Sequence, residues 1–196
     1  MRRSLSLCAL VYATVVAAPA AAQGTVTVDL AANSAYVTRG LSLTNRAVTQ
    51  GDLVLALPVS GVTLSAGAWG NLELRPYDSP ASISMTADET GANLTEVDLW
   101  ADATHAFGPL GVTVGAMRLT YPNQGVFTPA YNTTELYARL GLASLPLAPR
   151  LSVMEDVDKV RGVYLEGSVA QAVKAIPGVP LSLGATAGWS AGQEQS

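Results

Sequence analysis

The chain has 196 residues, with 11 Lys and Arg against 15 Asp and Glu, one His and one Cys, and apolar residues make up 49% of it. Its net charge of −4 speaks against nucleic acid as a partner, and a single cysteine excludes a disulfide framework within the chain. Beyond the N-terminal segment no apolar run reaches the roughly 18 residues that a membrane-spanning helix needs, so some other arrangement must account for the apolar content.

The chain opens MRRSLSLCALVYATVVAAPAAAQG, in which Arg2 and Arg3 precede an apolar stretch from Leu5 to Ala18 and a run of small residues. That is the layout of a secretory signal peptide. Ala18-Pro19-Ala20 and Ala20-Ala21-Ala22 are competing small-x-small sites, and cleavage after Ala22 leaves a polar Gln23 start. Residues 1–22 are therefore expected to be a signal peptide and residues 23–196 a single exported domain. Cys8 leaves with the signal, and Leu7 is too large for the position before a lipidated cysteine. The mature chain keeps nine basic and all fifteen acidic residues, a net charge of −6.

From Val26 onward the chain alternates with a period of two, the pattern of a strand with two unlike faces. Val28, Leu30, Ala32, Ser34 and Tyr36 share one face, and Thr25, Thr27, Asp29, Asn33 and Arg39 the other. A hairpin at Thr44-Asn45 that pairs Leu43 with Arg46 would set Arg39 opposite Gln50 and Val37 opposite Asp52, with Gly40 letting the strand bend. Leu53, Leu55 and Leu57 then oppose Gln50 and Asp52, and Leu64, Ala66 and Ala68 oppose Thr63, Ser65 and Trp69. Val97, Leu99, Ala101 and Ala103 oppose Glu96, Asp98, Trp100, Asp102 and Thr104, which puts three carboxylates on one face of one strand.

Between Leu110 and Tyr121 the phase would turn Arg118 outward, so a bulge is expected near Gly115-Ala116 to restore Met117, Leu119 and Tyr121 to the apolar face. Leu136, Ala138, Leu140 and Leu142 oppose Thr133, Glu135, Tyr137 and Arg139. Residues 147–157 carry Glu155 on the apolar side, which suits only a strand end. Val163, Leu165, Gly167 and Val169 oppose Tyr164, Glu166 and Ser168, and Leu181, Leu183, Ala185 and Ala187 oppose Ser182, Thr186 and Ser190.

The connections alternate as well. Residues 57–61, 107–111, 144–149 and 174–180 are short, Pro-bearing and almost uncharged, whereas 75–94, 122–131 and 155–161 are polar. Short turns at one rim and longer loops at the other are the habit of outer-membrane barrels. Val26 to Tyr36 is eleven residues, and crossing the hydrocarbon core with a tilted strand takes about 9 to 11; soluble strands run about 5 to 6. The expected fold is all-β, an antiparallel up-and-down transmembrane β-barrel. Nine strands start and end on opposite sides, while single-chain bacterial barrels have an even number, so the barrel is expected to be incomplete at its C-terminus and to close with ten or twelve strands.

Several stretches look familiar. Tyr36-Val37-Thr38-Arg39-Gly40-Leu41-Ser42 followed by Gln50-Gly51, then Glu96-Val97-Asp98-Leu99-Trp100, Tyr121-Pro122 and Asn132-Thr133-Thr134-Glu135-Leu136-Tyr137 resemble the motifs of the TorF-type outer-membrane porin family. The resemblance extends from about Ala32 to Ala172, and Thr38 stands where that family more often has an aromatic residue. It implies an outer-membrane location and a porin-like architecture rather than a particular solute.

In such a barrel the lumen-facing candidates are Arg39, Gln50, Asp52, Glu96, Asp98, Asp102, Arg118, Glu135, Arg139 and Glu166, a mixed-charge constriction that would set the selectivity of a narrow channel for small solutes or ions. Two other functions are open: a closed barrel serving as an anchor or scaffold, its lumen filled by Trp69, Trp100, Tyr137 and Tyr164, and a lipid hydrolase. The last needs a nucleophile beside a histidine, yet His105 has only Thr104 nearby, facing the other way. No catalytic residue, cofactor or metal is expected. Neighbouring same-face residues of a strand lie about 6.6 Å apart, too far for Glu96, Asp98 and Asp102 to share one ion without help from adjacent strands, and pairing with Arg118 and Arg139 is the simpler account. Outer-membrane lipid and small solutes are the expected partners.

Overall fold

The computed structural model describes the backbone of residues 11–17 and residues 24–74, 92–122, 132–173 and 181–192. The expected cleavage site after Ala22 lies outside these residues, as do the greater part of the polar loops at 75–94 and 122–131 and the short connection at 174–180.

The described residues form strands and no helices. Twelve strands run β1 (Val11–Ala17), β2 (Thr25–Asn33), β3 (Tyr36–Thr38), β4 (Leu41–Thr44), β5 (Val48–Val59), β6 (Val62–Glu73), β7 (Asn93–Phe107), β8 (Leu110–Thr120), β9 (Thr133–Gly141), β10 (Arg150–Asp156), β11 (Val163–Val173) and β12 (Leu181–Ala191). Ten of them make one sheet in the order β1-β2-β5-β6-β7-β8-β9-β10-β11-β12, and β3 and β4 pair separately. Among the described residues the sheet is not closed; β1 and β12 stand at its ends. Nine of its strands coincide with the period-two segments of the sequence. The tenth, β1, comes from the segment expected to be a signal peptide and pairs antiparallel with β2, Val11 opposite Ala32 and Ala17 opposite Val26.

Glycine governs the tight hairpins. Arg39 and Gly40 (φ 49° and 81°) join β3 to β4, and Ser60 and Gly61 (φ 49° and 83°) join β5 to β6. Positive φ at both central residues is the mark of the I′ turn, whose twist matches that of paired strands. The first of these corrects an expectation: the hairpin turns at Arg39-Gly40 rather than at Thr44-Asn45. A turn does follow Thr44, whose hydroxyl accepts from the Arg46 N–H at 3.3 Å, but β4 pairs back onto β3, with Thr38 opposite Leu41 and Tyr36 opposite Thr44. Arg39 is therefore a turn residue and has no place opposite Gln50.

β8 is also regular where a bulge was expected. Thr113 and Gly115 face Thr104 and Asp102, Leu119 is buried, and Val114 and Ala116 are exposed. An unbroken alternation leaves Arg118 on the opposite face, where Thr134 and Asp158 receive its guanidinium at 2.9 Å each. A charged partner in the connection between β10 and β11 removes the need for a bulge.

Two compact units are formed, one from Met1–Leu55, Gly67–Leu99 and Leu119–Asn132, the other from Ala56–Ala66, Trp100–Arg118 and Thr133–Ser196. In the first, the buried side chains are Thr44, Val48, Asn71, Glu73, Thr95, Glu96, Asp98 and Leu119. In the second they are Thr133, Glu135, Tyr137, Asp156 and Tyr164. Each unit meanwhile exposes a row of large apolar side chains: Leu30, Leu53, Leu55 and Leu99 in the first, Leu64, Leu136, Leu151, Leu183 and Trp189 in the second. Ordinary domains have the reverse distribution.

Candidate functional site: the polar face of the strands

Within the first unit an amide ladder crosses four neighbouring strands. Asn33 Nδ2 donates to Gln50 Oε1 at 2.8 Å, Gln50 Nε2 to Asn71 Oδ1 at 3.0 Å, and Asn71 Nδ2 to Thr95 Oγ1 at 2.8 Å. An amide both donates and accepts, so a row of them at cross-strand spacing satisfies itself without water. Thr95 and Glu96 are both buried although adjacent, which interrupts the alternation of β7 at this point.

Tyr36 donates its hydroxyl to Glu96 Oε2 at 2.8 Å and packs its ring on Trp69, with centroids 5.6 Å apart at 50°. It stands in β3, outside the ten-stranded sheet, where burial and then the Glu96 carboxylate push its phenol well above the ordinary range. It thus remains a hydrogen-bond donor. The period-two expectation had grouped Tyr36 with Leu30 on the apolar face. The bend at Ser34–Ala35 breaks that phase, and the ring lies instead against a buried carboxylate and an indole of the polar face.

The second unit repeats the theme. Tyr137 donates to Asp102 Oδ2 at 3.1 Å, and the Arg139 guanidinium lies 4.2 Å from the centre of the Tyr137 ring, a cation–π contact. Gly115 makes room for this group: a Cβ there would stand 2.5 Å from Tyr137 Cζ and 2.6 Å from Asp102 Cβ. Asp156 organises the connection after β10. Its Oδ2 accepts from the Thr133 hydroxyl at 2.6 Å and its Oδ1 from the N–H groups of Asp158, Val160 and Arg161 at 3.0, 3.0 and 3.4 Å.

Ten residues were expected to share a lumen face. Gln50, Asp52, Glu96 and Asp98 occupy the polar face of the first unit, and Asp102, Glu135, Arg139 and Glu166 that of the second. Arg39, in its turn, and Arg118, on the opposite face, do not join them. The expected pairing of the acidic strand with Arg118 and Arg139 also gives way. Glu96 and Asp102 hold tyrosine hydroxyls, Arg118 holds Asp158, and Arg139 rests on a ring. A phenol satisfies a carboxylate with one short directional bond and leaves the negative charge in place.

Residues 17–196 match the model of a family described as "Bacterial protein of unknown function (Gcw_chp)". The chain belongs to the Gcw_chp family. No curated protein and no solved structure matches it.

Sequence reasoning missed part of this Gcw_chp polar face. Asn71 and Glu73, both buried, continue the phase of Trp69 by two and four residues, a signal that the period-two pattern of β6 carries. Thr95 could not be found that way, because its burial departs from the period. His105 was expected on the face of Leu99; its Nδ1–H donates to the Gly61 carbonyl at 2.8 Å, and its ring meets Phe107 edge-on at 4.5 Å.

Proposed function

We propose that this Gcw_chp protein is an outer-membrane β-barrel through which small solutes or ions diffuse, the polar faces of its strands lining a narrow mixed-charge lumen. One observation carries this: the side chains withdrawn from solvent are mainly carboxylates, amides and hydroxyls, while leucines and a tryptophan stand exposed on the opposite face. A soluble sheet exposing Leu55 at 52%, Leu99 at 55% and Leu183 at 62% would associate or precipitate. Hydrocarbon tails cover such a face at no cost, and a water-filled or hydrogen-bonded interior suits the other. Strands of 11 to 15 residues at β5 to β8 have the reach for a tilted crossing. No helix of the described residues is long and apolar enough to cross a membrane. Closure requires the two ends of the sheet to meet, directly or through further strands.

A closed barrel acting as anchor or scaffold is the second reading, favoured by the bonded tyrosines and the amide ladder, which occupy space on the polar face. The hydrolase has less support, since the polar contact of His105 is a backbone carbonyl. Conductance in planar bilayers separates channel from scaffold. The channel predicts discrete open steps whose cation preference falls in Asp98→Asn; a correctly inserted full-length protein that stays silent would leave the scaffold.

A further inference from the structure

Where β10, β11 and β12 lie side by side, Arg150 is opposite Ser168 and Ser168 is opposite Thr186. One guanidinium and two hydroxyls thus form a row across three strands. The row borders a cavity of about 340 Å³ whose remaining wall is small, with Ala148, Ala170 and Gly184 among its residues. Gly184 cannot carry a side chain here, because a Cβ would come within 2.9 Å of the Val169 carbonyl oxygen. Arg139 belongs to the same face one step away: Ser152 lies opposite it, while Arg150 lies opposite Gly141 on the same strand. The two guanidinium-bearing residues are therefore diagonal neighbours on adjacent strands, about 7 to 8 Å apart at Cβ or somewhat less.

Both arginines are solvent-exposed, and among the described residues neither is held in an ion pair. That is unusual on a face otherwise rich in carboxylates. The adjoining carboxylate, Glu166, is opposite Ser152 in the next row. Two like charges as near diagonal neighbours repel, and a bound anion relieves the repulsion. Arginine forks and hydroxyl donors match the oxygens of phosphate or carboxylate, and the volume is that of a small-ligand site.

We infer that Arg150, Ser168 and Thr186, with Arg139 beside them, form a binding site for a small oxyanion such as the phosphate or carboxylate group of a solute. Arg150 supplies the forked donor, the hydroxyls complete the coordination, and Arg139 contributes charge from its seat on Tyr137. Glu166 limits the affinity. The site requires only that this face meet water, so it goes beyond diffusion through a lumen and does not depend on passage.

Equilibrium dialysis of the full chain in detergent micelles against radiolabelled inorganic phosphate tests it at constant ionic strength. The expected result is one saturable phosphate per chain, weakened at least tenfold in Arg150→Gln and tightened severalfold in Glu166→Gln, with circular dichroism unchanged. Should Arg150→Gln misfold, the Thr186→Val variant decides, with a severalfold loss expected. Non-saturable uptake, displacement by equimolar chloride to the same degree as by sulfate, or unchanged binding in a folded Arg150→Gln protein would overturn the site. Micelles require no conductance, so failure here leaves the channel question separate, and a silent bilayer leaves the anion site standing.

Discussion

Tyr36 and Tyr137 perform the same task in different units, each giving a neutral donor to a carboxylate on a polar face. The arrangement keeps the negative charge while satisfying part of its hydrogen-bonding capacity, and a hydrogen bond to a charged group contributes about 1.5–3 kcal/mol net. Tight packing accompanies it. Because a methyl group at position 115 would press on both Tyr137 and Asp102, Gly115→Ala is expected to cost about 1–3 kcal/mol, the usual penalty of overpacking. Urea unfolding from micelles measures it. A Gly115→Ala variant as stable as the parent would mean that the tyrosine and Asp102 do not share that space. The sequence placed Asp102 and Tyr137 on the polar face through their phase, but nothing in a one-dimensional pattern says that a glycine on the strand between them is small for their sake.

At the level of elements, alternation proved a reliable guide to strands and a poor one to turns and charged partners. Apart from the adjacent buried pair Thr95-Glu96 in β7, strands β5 to β12 follow the period because a sheet side chain has only two directions to take. The hairpin between β3 and β4 was misplaced because Arg-Gly is a weaker turn signal than Asn-Gly, and Thr44-Asn45 competed for the same role. β8 was assigned a bulge because a lone arginine on an apolar face looks costly until Asp158, forty residues on, is seen beside it. The apolar faces support a direct test. Leu55, exposed in the middle of β5, is expected to tolerate arginine poorly, at about 2–4 kcal/mol for a site near the bilayer midplane, whereas Leu145, in the connection after β9, should lose only about 0–1 kcal/mol. Refolding into lipid vesicles gives both values. Equal costs at the two positions would deny that lipid lies against β5.

For the molecule as a whole, the reversal of burial must be consistent over every strand if one solvent covers one face and another the other. Both compact units obey it, with polar side chains buried and leucines exposed. Complete hydrogen bonding around a ring of strands leaves no edge for detergent to open, so a full-length barrel should migrate faster on an unheated denaturing gel than after boiling. Identical migration in both lanes would indicate a sheet that does not close.

The amino-acid sequence by itself determined nine strands of the large sheet, their two unlike faces and the polar membership of Gln50, Asp52, Glu96, Asp98, Asp102, Glu135, Arg139 and Glu166, because period two is a local property of an extended chain. Only the tertiary structure decided who touches whom: Tyr36 turned to Glu96, Arg39 to a tight turn, Arg118 to Asp158, and Arg150 to a row with Ser168 and Thr186. Those contacts depend on register between strands and on where the chain bends. Both are settled by packing and turn geometry across long separations in sequence, which the alternation along any one strand does not encode.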